Sequence, residues 1–445
     1  MLKLGRAAMG KIGEIKLKYL LLALILSASF WVRVYRLDYP EKYYFDEVYH
    51  ALTAGAYARN DPAGYEWWHT SPVPGTAYEW LHPPISKLLM AGSIRVVGDV
   101  GFGWRLPSAM FGVLVIWAVW WMARALFEDE WLGLVAAFLA SLDGLLLAQS
   151  RIAMNDIFVT FFMVVALGWY WRWKKSNELK KIKAEKRVYL LLASVFTGLA
   201  VATKWSGVFV VGVVGIWEVL GLVAGGIKIS RKHLFRFGQR VGLLLVSFAV
   251  IPAVIYVLSY GQFWLQGHTV KQFEELHNQI WWYETHLDAT HPYQSRPWQW
   301  VLDLKPVWFH VEYLGESRAD IYNLANPVIA WGGLSSMVWV GWRFLVKKKS
   351  EYLFLIICYL VVWLPWVASP RIMFFYHYSP AIPFLSMALA LLVVKLWRGK
   401  GVGRAVGLMV VGLAVAGFIY FFPRLTGMPI PNSFAEQYVW FESWK

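Results

Sequence analysis

About eleven apolar runs, each of about 16 to 22 residues, constrain this 445-residue chain more than any other feature, because each can cross a hydrocarbon core of roughly 30 Å as an α-helix. They fall near 19–35, 106–126, 131–149, 154–173, 188–203, 205–225, 241–260, 326–346, 352–369, 378–397 and 404–422. The expectation is an all-α polytopic membrane protein, one transmembrane domain over 1–445 rather than an anchored soluble one. A mean hydropathy of +0.46 with 16% charged residues agrees, being outside the range of soluble globular chains. The basic stretch before the first run, with the long apolar core that follows, reads as a retained signal-anchor helix.

The net charge of +15 does not point to nucleic acid, since the lysines and arginines cluster in short segments between runs rather than on one face. Those segments are the N-terminus (Lys3, Arg6, Lys11, Lys16, Lys18), 172–187, 228–240, 347–349 and 398–404. With eleven spans all five share a side, which the positive-inside rule makes cytoplasmic. The first loop (36–105), the long loop (261–325), "SPRIMFFYHYSP" and the C-terminal tail then share the extracytoplasmic face. Within 261–325, "TVKQFEELHNQIWWYETHL" reads as an amphipathic helix at the membrane surface. Cys358 has no partner in the chain, so disulfides and cysteine-based zinc sites are excluded.

Chemistry-bearing residues crowd that outer face. In "YPEKYYFDEVYHALTAGAYA" (39–58), Asp46 and Glu47 are adjacent, so on a helix they point about 100° apart and cannot address one atom. One can serve as a base while the other orients a ligand or the loop; the plainer alternative is that acids favour a helix N-terminus. Glu47 with His50, and Glu274 with His277, have Glu-x-x-His spacing, but lie in loops without the further carboxylate-bearing helices of a metal centre, and no metal is expected. In "EWLHPPISKLL", His82, Pro83 and Pro84 form a rigid entry to a helix and the edge of a cleft. Arg105 and Arg151 sit at the edges of spans, where snorkelling is the plain reading. Asp156, beyond Asn155, lies inside a span, where a carboxylate needs a partner. Lys204 in "ATKWSG" can bind an anion. The dense "HPYQSRPWQWVLDLKPVWFH" holds His291, Tyr293, Trp298 and Arg296, whose planar fork suits phosphate. "SPRIMFFYHYSP" adds Arg371, Tyr376, His377 and Tyr378.

Cations beside an acidic pair suit a reaction with an anionic leaving group and a nucleophile that must lose a proton. In a membrane protein the donor is then expected to be a lipid, and glycosyl transfer from a polyprenyl phosphate fits without any nucleotide-binding glycine loop.

In their order, "FDEVYHA", "HPPISKLL", "WRLPSAMFG", "LLLAQSRIAMNDIFVTFF", "ATKWSG" and "HPYQSRPWQW" resemble the protein O-mannosyltransferase family of GT-C glycosyltransferases, over nearly the whole chain. The resemblance implies a GT-C bundle that moves mannose from dolichyl- or polyprenyl-phosphate mannose to protein serine or threonine hydroxyls by an inverting single displacement, with no further cofactor. Asp46 takes the place of the catalytic aspartate, with Glu47 beside it. Arg151, Asp156, Lys204, Arg296 and Arg371 fall at donor-binding positions, and His82, Pro83, His291, Tyr293, Trp298, His377 and Tyr378 line the cleft. The loop 261–325 is too short for the soluble MIR domain of eukaryotic members, so the resemblance is to the family's compact prokaryotic form. Transfer to a lipid or lipid-linked glycan is the alternative within this class. A transporter would instead carry ionisable groups near mid-bilayer on facing, broken helices.

Overall fold

The computed structural model describes residues 2–178, 182–225 and 231–445, with side chains described from Glu14 onward except at 178 and 225–234. The side chains of Lys3, Arg6 and Lys11, and parts of the basic stretches 172–187 and 228–240, lie outside what is described.

Every apolar run falls on a helix. Among the described residues, seven helical stretches are long and apolar enough to cross a membrane: Glu14–Val34, Gly101–Phe127, Trp205–Ala224, Phe235–Ser259, Ser350–Ala368, Phe375–Arg398 and Val402–Thr426. The other four runs lie on helices that are shorter or more polar along their length. One of these, 131–149, is not continuous: helix Glu130–Ser141 ends, and Asp143 starts Gly144–Gln149 by accepting the Leu146 amide at 2.9 Å. This is an integral, multi-pass membrane protein.

The helices divide by burial. Some 83% of the apolar window of Phe375–Arg398 is covered by protein against 17% for Val402–Thr426, so the former is central and the latter faces lipid. Beside it, Asp156–Glu178 is buried almost throughout, packed against Gly101–Phe127 and Lys183–Val201. Close approach of the first pair needs Gly168, where a Cβ would stand 2.2 Å from the Trp121 ring.

The connections at one end of the bundle build a second layer. The first loop folds into Glu47–Ala58 and Ile85–Val97. The long loop carries the amphipathic helix Val270–His286, opened by a capping box in which Thr269 Oγ1 accepts the Gln272 amide and Gln272 Oε1 accepts the Thr269 amide. Not anticipated from sequence is a small antiparallel sheet of β1 (Val307–Leu314), β2 (Ser317–Asn323) and β3 (Pro429–Pro431), with Gly315 at φ +67° in the tight turn. The C-terminal tail locks onto it: Trp444 is fully buried, its indole donates to the Asp303 carbonyl at 2.8 Å, and the Tyr322 hydroxyl donates to its carbonyl.

Candidate active site

The site begins where the first helix hands over to the first loop. Glu47 opens helix Glu47–Ala58 and is fully buried. Arg105, from helix Gly101–Phe127, grips it with both arms, Nε to Oε1 at 2.8 Å and Nη2 to Oε2 at 2.7 Å, and also holds the Leu37 and Pro40 carbonyls at 3.0 and 2.8 Å. The Ala153 amide donates to Glu47 Oε1 at 3.0 Å. Glu47 therefore takes the loop-orienting role of the two open to the acidic pair, tying the loop to the bundle, and it does not line the cavity described next. Its neighbour Asp46 is turned away by the helical step. It occupies the N-cap position but makes no capping bond, so its carboxyl stays available to a cavity.

That cavity encloses about 410 Å³, a size suited to a small-molecule group, with walls from the first loop, residues 154–156 and 204–206, helix Val270–His286 and the segment 366–377. Asp156, at the start of its helix, accepts from Lys204 Nζ at 2.8 Å, and Lys204 lies over the Tyr376 ring at 5.7 Å. Tyr376 and Asp46 line the same cavity. Burial, and then the negative charge of Asp156, push the Asp46 carboxyl up to about 7, against the opposing pull of Lys204.

The first-loop wall rests on Glu79, a residue that sequence reasoning missed. Lys87 Nζ donates to the Glu79 carboxylate and, at 2.8 Å, to the His82 carbonyl, while His82 Nδ1 stands 2.7 Å from Glu79 Oε1. Burial alone would raise the Glu79 carboxyl, but Lys87, His82 and His50 hold it well below the usual range. A carboxylate only accepts, so His82 donates from Nδ1. Burial lowers His50 to about 3 and keeps it neutral beside this cluster. The signal available in the sequence was Glu79-x-x-His82 followed by Lys87. On the opposite wall Glu284, from Val270–His286, pairs with Arg371. Asn155 adds a donor: Ser86 Oγ holds its Oδ1 at 2.5 Å, while its buried Nδ2 has no partner among the described residues.

The structure thus brings Asp46, His82, Asp156, Lys204, Arg371 and His377 to one cavity. The other expected residues are elsewhere. Arg151 is buried and spends its guanidinium on the carbonyls of Arg33 at 2.7 Å and Tyr35 at 2.6 Å, satisfying the end of the first helix rather than an anion. Arg296 is exposed outside the cavity, as are Trp298 and His291, and Tyr293 stands against Trp308. Pro83 is buried behind His82, and the buried Tyr378 is bonded to the Tyr359 hydroxyl at 2.8 Å.

Residues 23–266 match the family model described as dolichyl-phosphate-mannose-protein mannosyltransferase, and 269–444 match the C-terminal four-transmembrane region of protein-O-mannosyltransferase. Polyprenol-phosphate-mannose–protein mannosyltransferase of Corynebacterium glutamicum is 29% identical over 424 residues, spanning 82% of this chain and 81% of that one. The Mycobacterium tuberculosis protein of the same name is 26% identical over 429 residues, with 82% and 81% covered. Among solved structures, the Saccharomyces cerevisiae Pmt1-Pmt2 complex bound to the sugar donor superposes with a TM-score of 0.78 over 96% of this chain and 92% of that one, at 15% identity, a likeness of fold.

Proposed function

The chain belongs to the dolichyl-phosphate-mannose–protein mannosyltransferase family, and on that premise we propose that it transfers mannose from a polyprenyl-phosphate mannose to serine or threonine hydroxyls of proteins, with Asp46 as the base. One observation carries this reading: Asp46, whose carboxyl joins no ion pair among the described residues, shares a cavity with the cations Lys204 and Arg371. The placement of the basic segments between spans favours a cytoplasmic N-terminus, and so an extracytoplasmic cavity and C-terminus.

Asp46 takes the proton of the acceptor hydroxyl as its oxygen attacks C1 of the mannose. The bond from C1 to the phosphate oxygen breaks, and its electron pair leaves with the lipid phosphate. A single displacement of this kind inverts the anomeric centre. Lys204 and Arg371 stabilise the departing phosphate, and the unpartnered Asn155 Nδ2 supplies a further hydrogen bond. Asp156 and Glu284 hold those two cations in place. Replacing Lys204 with glutamine is expected to lower kcat/KM by about 10²-fold, in line with the loss of one charge-stabilising donor, as measured by initial rates against donor concentration.

The position of Asp46 sets the pH dependence. The carboxylate is the active form and its carboxyl is pushed up to about 7, so kcat/KM rises about tenfold per pH unit below 7 and levels above it. A profile already flat from pH 5 upward, read at pH values where the chain stays folded, removes Asp46 from the base position.

The direct test is transfer of radiolabel from purified polyprenyl-phosphate mannose to a Ser/Thr-rich peptide. Labelled peptide is the expected result. Donor consumption with an unlabelled peptide moves the acceptor to a lipid or glycan, and an intact donor removes glycosyl transfer.

A further inference from the structure

Helix Asp156–Glu178 begins in the active-site cavity and reaches a second cavity at its other end. Arg172 lies sixteen residues beyond Asp156, which is about 24 Å at about 1.5 Å per residue. There the helix meets the end of Gly101–Phe127 and the start of Lys183–Val201 in a belt of aromatics: Trp117 stacks on Trp121 at 6.0 Å, and Trp169 stacks on Tyr189 at 5.5 Å. Such belts mark the level of lipid headgroups. The cavity encloses about 320 Å³ and is lined by Trp121, Arg124, Glu128, Arg172, Lys175 and Tyr189, among others.

Arg172 is unusual among these. Its guanidinium lies 5.8 Å from the Trp121 ring and 5.5 Å from each of the Trp169 and Tyr189 rings. Among the described residues no carboxylate or carbonyl pairs with it. Aromatic rings hold a guanidinium through its cation and leave its N–H fork in plane, free for a bidentate anion. Of the described carboxylates that line the cavity, Glu130 is taken by Arg124 and Glu128 stands exposed at the rim.

We propose that this cavity binds the phosphate of a membrane phospholipid, held by the Arg172 fork, at the membrane face opposite the active site. The shared chemistry is a phosphate monoanion at headgroup depth, where acyl chains run into the bilayer beside the neighbouring helices.

Native mass spectrometry of the full chain in detergent, titrated with phosphatidylglycerol, tests this. Arg172→Gln is expected to weaken retention of one lipid about tenfold, whereas Lys395→Gln, which removes a cation stacked on Trp339 away from the cavity, leaves retention unchanged. Arg172→Lys keeps the charge without the fork and is expected to weaken it several-fold, which decides the matter should the glutamine variant not fold. Inorganic phosphate at millimolar concentration is expected not to displace the lipid. Unchanged retention in the Arg172 variants overturns the site; complete displacement by inorganic phosphate overturns the lipid as its occupant.

Discussion

Asp46→Asn is expected to lower mannosyl transfer by about 10²- to 10⁴-fold, the range that a positioned base contributes, while leaving the chain folded. The amide keeps the size of the side chain but cannot take the acceptor proton. Asp46 makes no capping bond that the substitution would break. Stability is expected to move the other way from activity. Since the native carboxyl titrates near 7, above its ordinary range, it favours the fold at low pH and loses that contribution as pH rises through 7. The neutral amide escapes that loss, so the variant melts at or above the parent at pH 8 and the gap narrows at pH 5. Thermal unfolding at both pH values, beside radiolabel transfer, checks the two effects together. Transfer at near-parental rates removes Asp46 as the base; a melting temperature below the parent at pH 8 would show that its carboxylate holds the fold.

How much of this was legible in the sequence follows from the range of the interactions involved. Apolar length is a local property, and the eleven runs mark where helices lie. The break at Asp143 escaped because a single carboxylate among leucines and alanines barely lowers the hydropathy of a run, although it caps a new helix. Asp156 and Lys204 are recognisable as charges at span ends and Asp46 as a first-loop carboxylate, each without an evident local partner, and the three do converge. Arg151 and Glu47 carried the same signal and do not, because their partners lie far along the chain: Glu47 meets Arg105, and Arg151 meets the carbonyls at the end of the first helix. A charge at a span end is needed either by a ligand or by the fold, and only the tertiary contact distinguishes them. The dense aromatic segment from His291 to Trp298 illustrates the converse. Its Pro297 and the Trp300 just beyond it are buried, Trp300 donating to Ser295 at 2.8 Å, while Arg296 and Trp298 stay exposed.

The distinction between fold and ligand yields the largest expected effect on stability. Arg105→Met leaves the Glu47 carboxylate fully buried with its two ionic hydrogen bonds gone, and it frees the Leu37 and Pro40 carbonyls as well. Breaking one side of a buried ion pair costs about 3–5 kcal/mol, a large part of the about 5–15 kcal/mol that holds a typical domain together. The variant is therefore expected to melt well below the parent and to lose transfer, because Asp46 is one residue from the broken anchor. Adding Glu47→Gln removes the stranded charge, and the side-chain carbonyl can still accept the Ala153 amide that now donates to Oε1 at 3.0 Å. The double variant should recover part of the lost stability, short of the whole because the loop carbonyls stay unsatisfied. Thermal unfolding of the parent, both single variants and the double closes the cycle. A double variant no more stable than Arg105→Met would mean that Arg105 acts through the loop carbonyls alone and that Glu47 is not an anchor of the first loop.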